Sequence, residues 1–328
     1  MKVGLYYDFP QGDGGAYFRK GVELGLSTVA GLADLGQPVE LVDCQANGLP
    51  AGSEAEVVSS FRDLVASGVD AVIGPSISDN AMIVTPLADE LQVPCINYTG
   101  GAHTRSQHVF HYQVGSLEEE PSVIAGHLLD RGLTAAAVVY DDSAVGHGYL
   151  DFFTMTGVDV VASAAISALS TDLADVLARL RNSSPQVLVY FGLGIASRAV
   201  ALAVAELGWD VPVVANSSLM FGYARPDWRD GYEGWVYVDT VSDGNASRAE
   251  LRERSKAHAA SPIGCAAFDI GRLLGESLVR GGLERVKRLP ASSGKDGTLM
   301  GFGPWDHGAL KGEFLVLRSW RGGRTIEI

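Results

Sequence analysis

Positive charge is in short supply. The 328 residues hold 25 Lys and Arg against 39 Asp and Glu, a formal net charge of −14. No basic cluster offsets that balance, so the cationic face that neutralises phosphates is missing and nucleic-acid binding is excluded. Anionic membrane surfaces repel the same sign of charge. No apolar run approaches the roughly 18 residues of a spanning helix, so membrane insertion is not expected. Cysteine is scarce: Cys44, Cys95 and Cys265 stand far apart and odd in number. They match neither a disulfide framework nor zinc spacing and read as three buried or half-buried thiols of a reducing compartment. A secretory leader is also missing at Met1, which runs straight into an apolar VGLYY. The expectation is a cytoplasmic chain, or a periplasmic or cell-envelope one whose signal peptide was trimmed.

Catalytic signatures are equally sparse. The sequence lacks G-x-S-x-G, H-E-x-x-H and G-x-x-x-x-G-K-[ST], so hydrolase, zincin and P-loop mechanisms lack their parts. His103, His108 and His111 lie close together but in a loop-like stretch, and their spacing matches no helix or strand face, so no metal is expected. Gly192-Leu193-Gly194-Ile195-Ala196-Ser197 approaches the dinucleotide fingerprint but ends in Ser. No acidic residue follows where ribose needs one, and the stretch reads as a tight turn lining a cleft. Asp13-Gly14-Gly15 is followed by no Lys or Ser/Thr to hold phosphate, so no cofactor is expected. Asp8 and Asp43 end the first two predicted strands, either as paired acids or as caps, and Asp141-Asp142 is open in the same way.

An ordinary globular balance is present, with 47% hydrophobic and 20% charged residues, and the length suggests two compact units. Short Val/Ile/Leu runs alternate with helical periodicity. Strands are predicted at 2–7, 39–43, 70–74 and 93–97, with helices over about 17–35, 54–66 and 78–91. A second series follows, with strands at 135–141, 158–166, 187–191 and 211–215 and helices near 121–131, 148–155, 171–180 and 196–207. A strand at 235–240, helices near 247–258 and 266–279, and strands within 313–320 and 324–328 complete the chain. Continuous apolar strands joined by helices mean α/β lobes with parallel sheets covered on both faces. Ligands of such sheets sit at the carboxyl ends of the strands.

Five segments then carry a resemblance: GAYFRKGVELGL (15–26), VIGPSISDNAMIVTPLADELQVPCINYTGG (72–101), AAAVVYDDSAVGHGYLDFF (135–153), VLVYFGLG (187–194) and GFGPWDHGALKG (301–312). In this order they resemble the type I periplasmic solute-binding proteins, in the leucine/isoleucine/valine- and amide-binding branch of ABC transporter substrate-binding proteins. The resemblance implies two Rossmann-like lobes joined by a three-strand hinge, with the ligand cleft between them and no catalytic residues. The lobes would be residues 1–115 plus 241–303 and residues 116–240 plus 304–328. Crossings would fall near Gly115, Thr240 and Gly303–Gly308. The family's frequent disulfide would pair Cys44 with a position near Ile77, so it is missing here.

The resemblance also implies a site. On the first lobe Ser76, Ser78 and Asn80 open a helix, and Ser78 stands where the amino-acid binders hold a carboxylate; a cap is its other reading. Thr99 and the glycine amides of the Asn97–Gly101 loop, that of Gly100 among them, would meet the same oxygen group. On the second lobe Val145 takes the place of the usual aromatic, and Ser217 that of the acid that pairs with the ligand ammonium. Burying an ammonium without that acid costs several kcal/mol in rough terms, so an amino acid is not expected. Phe9, Tyr98, Val145, Leu193 and Met220 suggest an apolar wall. The expected function is capture of a small, mostly apolar ligand bearing a carboxylate or carbonyl, without catalysis, with an ABC permease as partner. Two alternatives stay open: a cytoplasmic sensor acting on a regulatory protein, and a nucleotide-using α/β enzyme built on the Gly192–Ser197 turn.

Overall fold

The computed structural model describes residues 1–10, 14–36, 38–282 and 312–328. Along the chain run β1 (Lys2–Tyr7), α1 (Gly14–Leu26), β2 (Glu40–Gln45), α2 (Glu54–Ala66), β3 (Ala71–Ile73), α3 (Ser78–Glu90), β4 (Cys95–Asn97) and β5 (Val109–His111). The second series is α4 (Glu120–Leu129), β6 (Ala135–Asp141), α5 (Ala144–Thr154), β7 (Asp159–Ile166), α6 (Ala174–Arg181), β8 (Val187–Phe191), α7 (Ser197–Glu206), β9 (Val213–Ala215), α8 (Pro226–Arg229) and β10 (Val236–Asp239). Then come α9 (Ala246–Arg254), α10 (Lys256–Ala259), α11 (Pro262–Val279), β11 (Val316–Arg321) and β12 (Arg324–Glu327). The chain divides into two compact units, Met1–Val114 with Asp243–Leu310 and Gly115–Ser242 with Lys311–Ile328. The third expected crossing, Gly303–Gly308, lies outside the described residues, as do Asp13 and nearly all of the 301–312 segment.

The first unit holds a five-stranded sheet in the order β2-β1-β3-β4-β5, parallel throughout. Between this sheet and helices α2 and α3, Tyr6, Val57, Phe61, Val72, Val84 and Val93 form one apolar cluster. Burying each such side chain is worth roughly 1.5–3 kcal/mol. Helices α1 and α11 approach closely because glycines face the contact: a side chain on Gly21 would stand 2.6 Å from the Ala267 Cβ.

The second unit holds a seven-stranded sheet in the order β12-β11-β10-β9-β8-β6-β7. It is not wholly parallel as expected, because β11 runs antiparallel to both β10 and β12. Gly322 and Gly323, at φ +55° and +70°, form the two-residue turn between β11 and β12, a left-handed conformation that glycine adopts without steric cost.

Other boundaries moved for local reasons. Helix α1 stops at Leu26 rather than running to Leu35. Ser27 and Thr28 turn their hydroxyls back onto the carbonyls of Leu24 and Gly25, and Gly31 takes φ +80°. The predicted 247–258 helix breaks at Ser255, whose hydroxyl caps the His258 amide and starts a new turn. The loop expected around the histidines contains a strand, β5, too short for period-2 alternation to reveal.

Both sheets share one device. Strand β1 is followed at once by Asp8, which is buried and accepts from Ser76 N (2.8 Å), Ser76 Oγ (2.5 Å), Ile77 N (3.1 Å) and Asn80 Nδ2 (2.9 Å). It fastens the turn that follows the neighbouring strand, β3. Strand β6 ends in Asp141, also buried, which accepts from Leu193 N (2.6 Å) and Tyr190 Oη (3.3 Å). It fastens the turn after its own neighbour, β8. In each case a carboxylate takes up backbone amides of the turn between a strand and the helix that follows it.

Glu120 plays a related part where the chain enters the second unit. It is buried and accepts from Ser116 N (2.5 Å), Ser217 N (2.6 Å), Ser217 Oγ (3.0 Å) and Tyr149 Oη (3.1 Å).

Two outcomes follow. Gly192 abuts Asp141: a methyl there would lie 2.5 Å from Asp141 Oδ1 and from Tyr190 Oη. Gly192→Ala is expected to destabilise the protein by about 1–3 kcal/mol in urea unfolding, and an unchanged midpoint would count against this packing. Burial raises the Glu120 carboxyl from 4.5 to about 7, its four donors acting against that rise. Below pH 4.5 the group is protonated in both states. As pH climbs towards 7 the unfolded chain releases the proton first, so stability drains away at no more than about 1.4 kcal/mol per pH unit. Glu120→Gln removes this slope, whatever its constant offset, so wild-type stability relative to the variant should fall between pH 4.5 and 7. A flat difference would refute it.

Candidate functional site

At the carboxyl edge of the first sheet, two loops meet beside α3. One follows β3 and carries Ser76 and Ser78; the other follows β4 and carries Tyr98, Thr99, Gly100 and Gly101. Ser78 is the first residue of α3 rather than its cap. The cap position is Ile77, without a side-chain bond, and Asp8 satisfies the amides of Ser76 and Ile77. That leaves the Ser78 hydroxyl free for other work. It is half-buried and accepts from Gly100 N at 3.3 Å. Among the described residues its own proton has no acceptor. Gly101 lies against it: a methyl there would sit 3.5 Å from Ser78 Cβ and 3.6 Å from Ser78 Oγ. The Gly101 amide also has no partner among the described residues. The two donors lie on adjoining loops, and donors of this kind suit an oxygen acceptor.

The remaining first-unit residues are spent elsewhere. Ser76 donates to Asp8. Asn80 is wholly buried and uses its amide on Asp8, Leu49 O and Leu49 N, so it staples two loops and does not reach a ligand. Thr99 is buried, with its hydroxyl 3.0 Å from Thr104 Oγ1 and from His111 Nε2; its side chain, expected at the ligand oxygen, faces inward. Phe9 is buried after β1. Tyr98 stacks on Phe18 at 4.3 Å, and burial holds its phenol well above the usual range, with Asp8 adding to the effect. On the α1 side of Tyr98 opens a cavity of about 230 Å³ walled by Tyr7, Phe18, Gln45 and Tyr98.

Asp8 and Asp43 are not a pair. Burial raises the Asp8 carboxyl and its four donors oppose the rise, whereas Asp43 is exposed and holds Arg19 at 2.7 Å.

In the second unit, Val145 and Leu193 are half-buried, on the first turn of α5 and in the turn after β8. Ser217 and Met220 are buried after β9. Ser217 spends both amide and hydroxyl on Glu120, so it serves the protein rather than a ligand. Sequence reasoning missed Glu120: a carboxylate does lie beside Ser217, supplied by the first turn of α4. The Gly192–Ser197 turn is already filled. Leu193 N goes to Asp141, Gly194 N to Tyr190 Oη at 3.1 Å, and Ser197 Oγ to Gly194 O and Tyr232 Oη at 2.6 Å each. A phosphate would find those amides taken, which removes the support for the nucleotide alternative.

The histidines disperse. His111 is buried, His108 pairs with Asp89 at 3.0 Å, and His103 is exposed. Among the described residues no group of three or more His, Cys, Asp or Glu could hold a metal ion. The cysteines are unpaired, Cys95 and Cys265 buried and Cys44 half-buried. No described helix is long and apolar enough to cross a membrane.

Comparison with known proteins gives this arrangement a setting. Among solved structures, a type 1 periplasmic binding protein from Bordetella pertussis Tohama I superposes with a TM-score of 0.83 at 16% identity, covering 100% of this chain and 99% of that one. The leucine-binding protein LivK of Thermotoga maritima gives 0.79 at 16% identity, with coverage of 100% and 97%. A solute-binding protein of R. palustris in complex with 4-hydroxybenzoate gives 0.80 at 18% identity, with coverage of 100% and 95%. A search of curated protein sequences finds no match. These likenesses show the type I fold. The family model described as periplasmic binding protein matches residues 1–260, and the chain therefore belongs to the periplasmic binding protein family.

Proposed function

We propose that this chain captures a small, mostly apolar solute through a carboxylate or carbonyl oxygen, as the substrate-binding component of an ABC transporter. The observation that carries the reading is the pair of unspent donors, Ser78 Oγ–H and Gly101 N–H, side by side at the end of a parallel sheet. Donors without an unspent acceptor favour an anion or carbonyl over an ammonium. The stacked Phe18–Tyr98 pair beside them favours an apolar body. In this proposal the second lobe, with Val145 and Leu193, closes over the ligand by a hinge at the crossings near Gly115 and Thr240. The family consists of periplasmic proteins, which lends no support to the cytoplasmic expectation and favours the periplasmic alternative. A regulatory partner likewise finds no support in the family or the structural relatives.

Isothermal titration with benzoate, 4-hydroxybenzoate and leucine tests the ligand class. Binding of an aromatic acid without leucine binding is expected; micromolar leucine binding without either acid overturns the reading. Gly101→Ala tests the site. At φ −95° an alanine is unstrained, and its methyl meets only ordinary contacts, yet it covers the Ser78 hydroxyl. Affinity for the acid should fall at least tenfold, about 1.4 kcal/mol, with unchanged thermal stability. Retained affinity would remove Ser78 and Gly101 from the site.

A further inference from the structure

The Gly100–Gly101 peptide is the segment of the site most prone to turn over, because glycine accepts either sign of φ. A flip would replace the Gly101 N–H with the Gly100 carbonyl and present an acceptor to the ligand's oxygen. In a trans peptide the C=O of one residue and the N–H of the next point in opposite directions. Whatever holds the carbonyls of this loop therefore aims its amides.

Three consecutive carbonyls are held from behind. Thr99 O accepts from Val114 N at 2.8 Å and lies 2.9 Å from His111 Nε2. Gly100 O accepts from Gln113 Nε2 at 3.4 Å. Gly101 O accepts from Thr104 Oγ1 at 2.7 Å. The Gly100 amide accordingly emerges on the other side and lands on Ser78 Oγ. By the same geometry the Gly101 amide emerges beside it.

The holding side chains are themselves orientated. A guanidinium only donates, so Arg105 Nε, 3.1 Å from His111 Nδ1, makes that nitrogen the acceptor and places the ring proton on Nε2. From there the donors run one way, His111 to Thr99, Thr99 Oγ1 to Thr104 Oγ1, and Thr104 to Gly101 O. Arg105 Nη2 also reaches Gln113 Oε1 at 3.5 Å, which turns the Gln113 amide nitrogen towards Gly100. His111, Gln113, Thr99 and Thr104 are all buried.

We propose that Gln113, together with the Arg105–His111–Thr99–Thr104 chain, is a positioning device that holds the Gly100–Gly101 peptide with its N–H towards the ligand oxygen. The inference rests on the reading of Ser78 and Gly101 as the ligand's donors. None of these side chains touches the ligand in that reading; they set how well it is held.

The test uses the full chain, isotopically labelled, with benzoate as the probe. Gln113→Glu keeps the shape and the acceptor for Arg105 but removes the donor to Gly100 O. Gln113→Leu removes the donor without adding charge and serves if the first variant folds poorly. Two readouts are compared with wild type: the Gly101 amide resonance of the free protein and the affinity for benzoate. Both variants should displace the Gly101 resonance and weaken benzoate at least tenfold. Ser78→Ala, which leaves the carbonyl braces in place, should weaken benzoate by removing a direct donor. An unmoved Gly101 resonance in both glutamine variants overturns the proposal, whether or not affinity changes. If wild type and Ser78→Ala bind benzoate alike, the donor reading fails, while the free-protein resonance still decides whether Gln113 aims the peptide.

Discussion

A buried carboxylate at the end of the first strand governs each sheet. Parallel strands hand over to helices through turns whose amides have no partner in the sheet or the helix, and these turns crowd together at one edge, where burial makes an unmatched amide cost roughly 1–3 kcal/mol. Asp8 answers this in the first unit and Asp141 in the second, each reaching across to the turn after the neighbouring strand. The arrangement is mutual. Four donors make the burial of Asp8 tolerable, and Asp8 fixes the turn from which α3 starts. Removing either side would leave the other buried and unmatched, the costlier condition.

The proposed ligand donors are a remainder of this arrangement. Because Asp8 serves the amides of Ser76 and Ile77, the Ser78 side chain has no capping duty and its hydroxyl stays available. Because groups behind the β4 loop take the carbonyls of Thr99, Gly100 and Gly101, the proposed arrangement turns the amide of Gly101 outward. Polar residues that look equally suitable, Asn80 and Thr99, are consumed inside the fold. Chemical suitability alone does not separate these two groups; the direction in which each hydrogen bond is already spent does.

That distinction sets how far the sequence could be read. Periodicity was sufficient for β6 and β8, whose apolar runs match their observed bounds closely, and for the alternation that makes an α/β chain. It failed where a few polar atoms decide. Ser27 and Thr28 end α1 by bonding to carbonyls one turn back, and a helical pattern continuing to Leu35 hides that. The β5 strand is three residues long, with His111 in it. Ser78 and Gly101 could be put forward from the sequence because their neighbours open a helix and a turn. Glu120 was not, since its partner Ser217 is remote in the chain and nothing in the local composition joins them. Asp8 and Asp141 stood out as strand-end acids, but their targets, again distant in sequence, could not be named.

Glu120 also refines the argument about ligand charge. The absence of an acid at position 217 suggested that an ammonium would lack a partner; the structure puts a carboxylate beside that position after all. Yet Glu120 is fully enclosed and already meets four donors. Three of those donors share Oε1 and Ser217 N takes Oε2, so a ligand ammonium would compete with them for the same carboxylate. Asp8 likewise meets four donors. A cationic amine would thus exchange its water shell for a carboxylate already shared by other donors, and a desolvated charge without a good partner costs several kcal/mol in rough terms. An oxygen acceptor meets the opposite situation at Ser78 and Gly101, where two donors stand without partners among the described residues. In the proposed reading, the preference for an oxygen over an amine therefore arises from one arrangement: the buried carboxylates already serve the protein's own donors, while Ser78 and Gly101 keep donors without partners among the described residues.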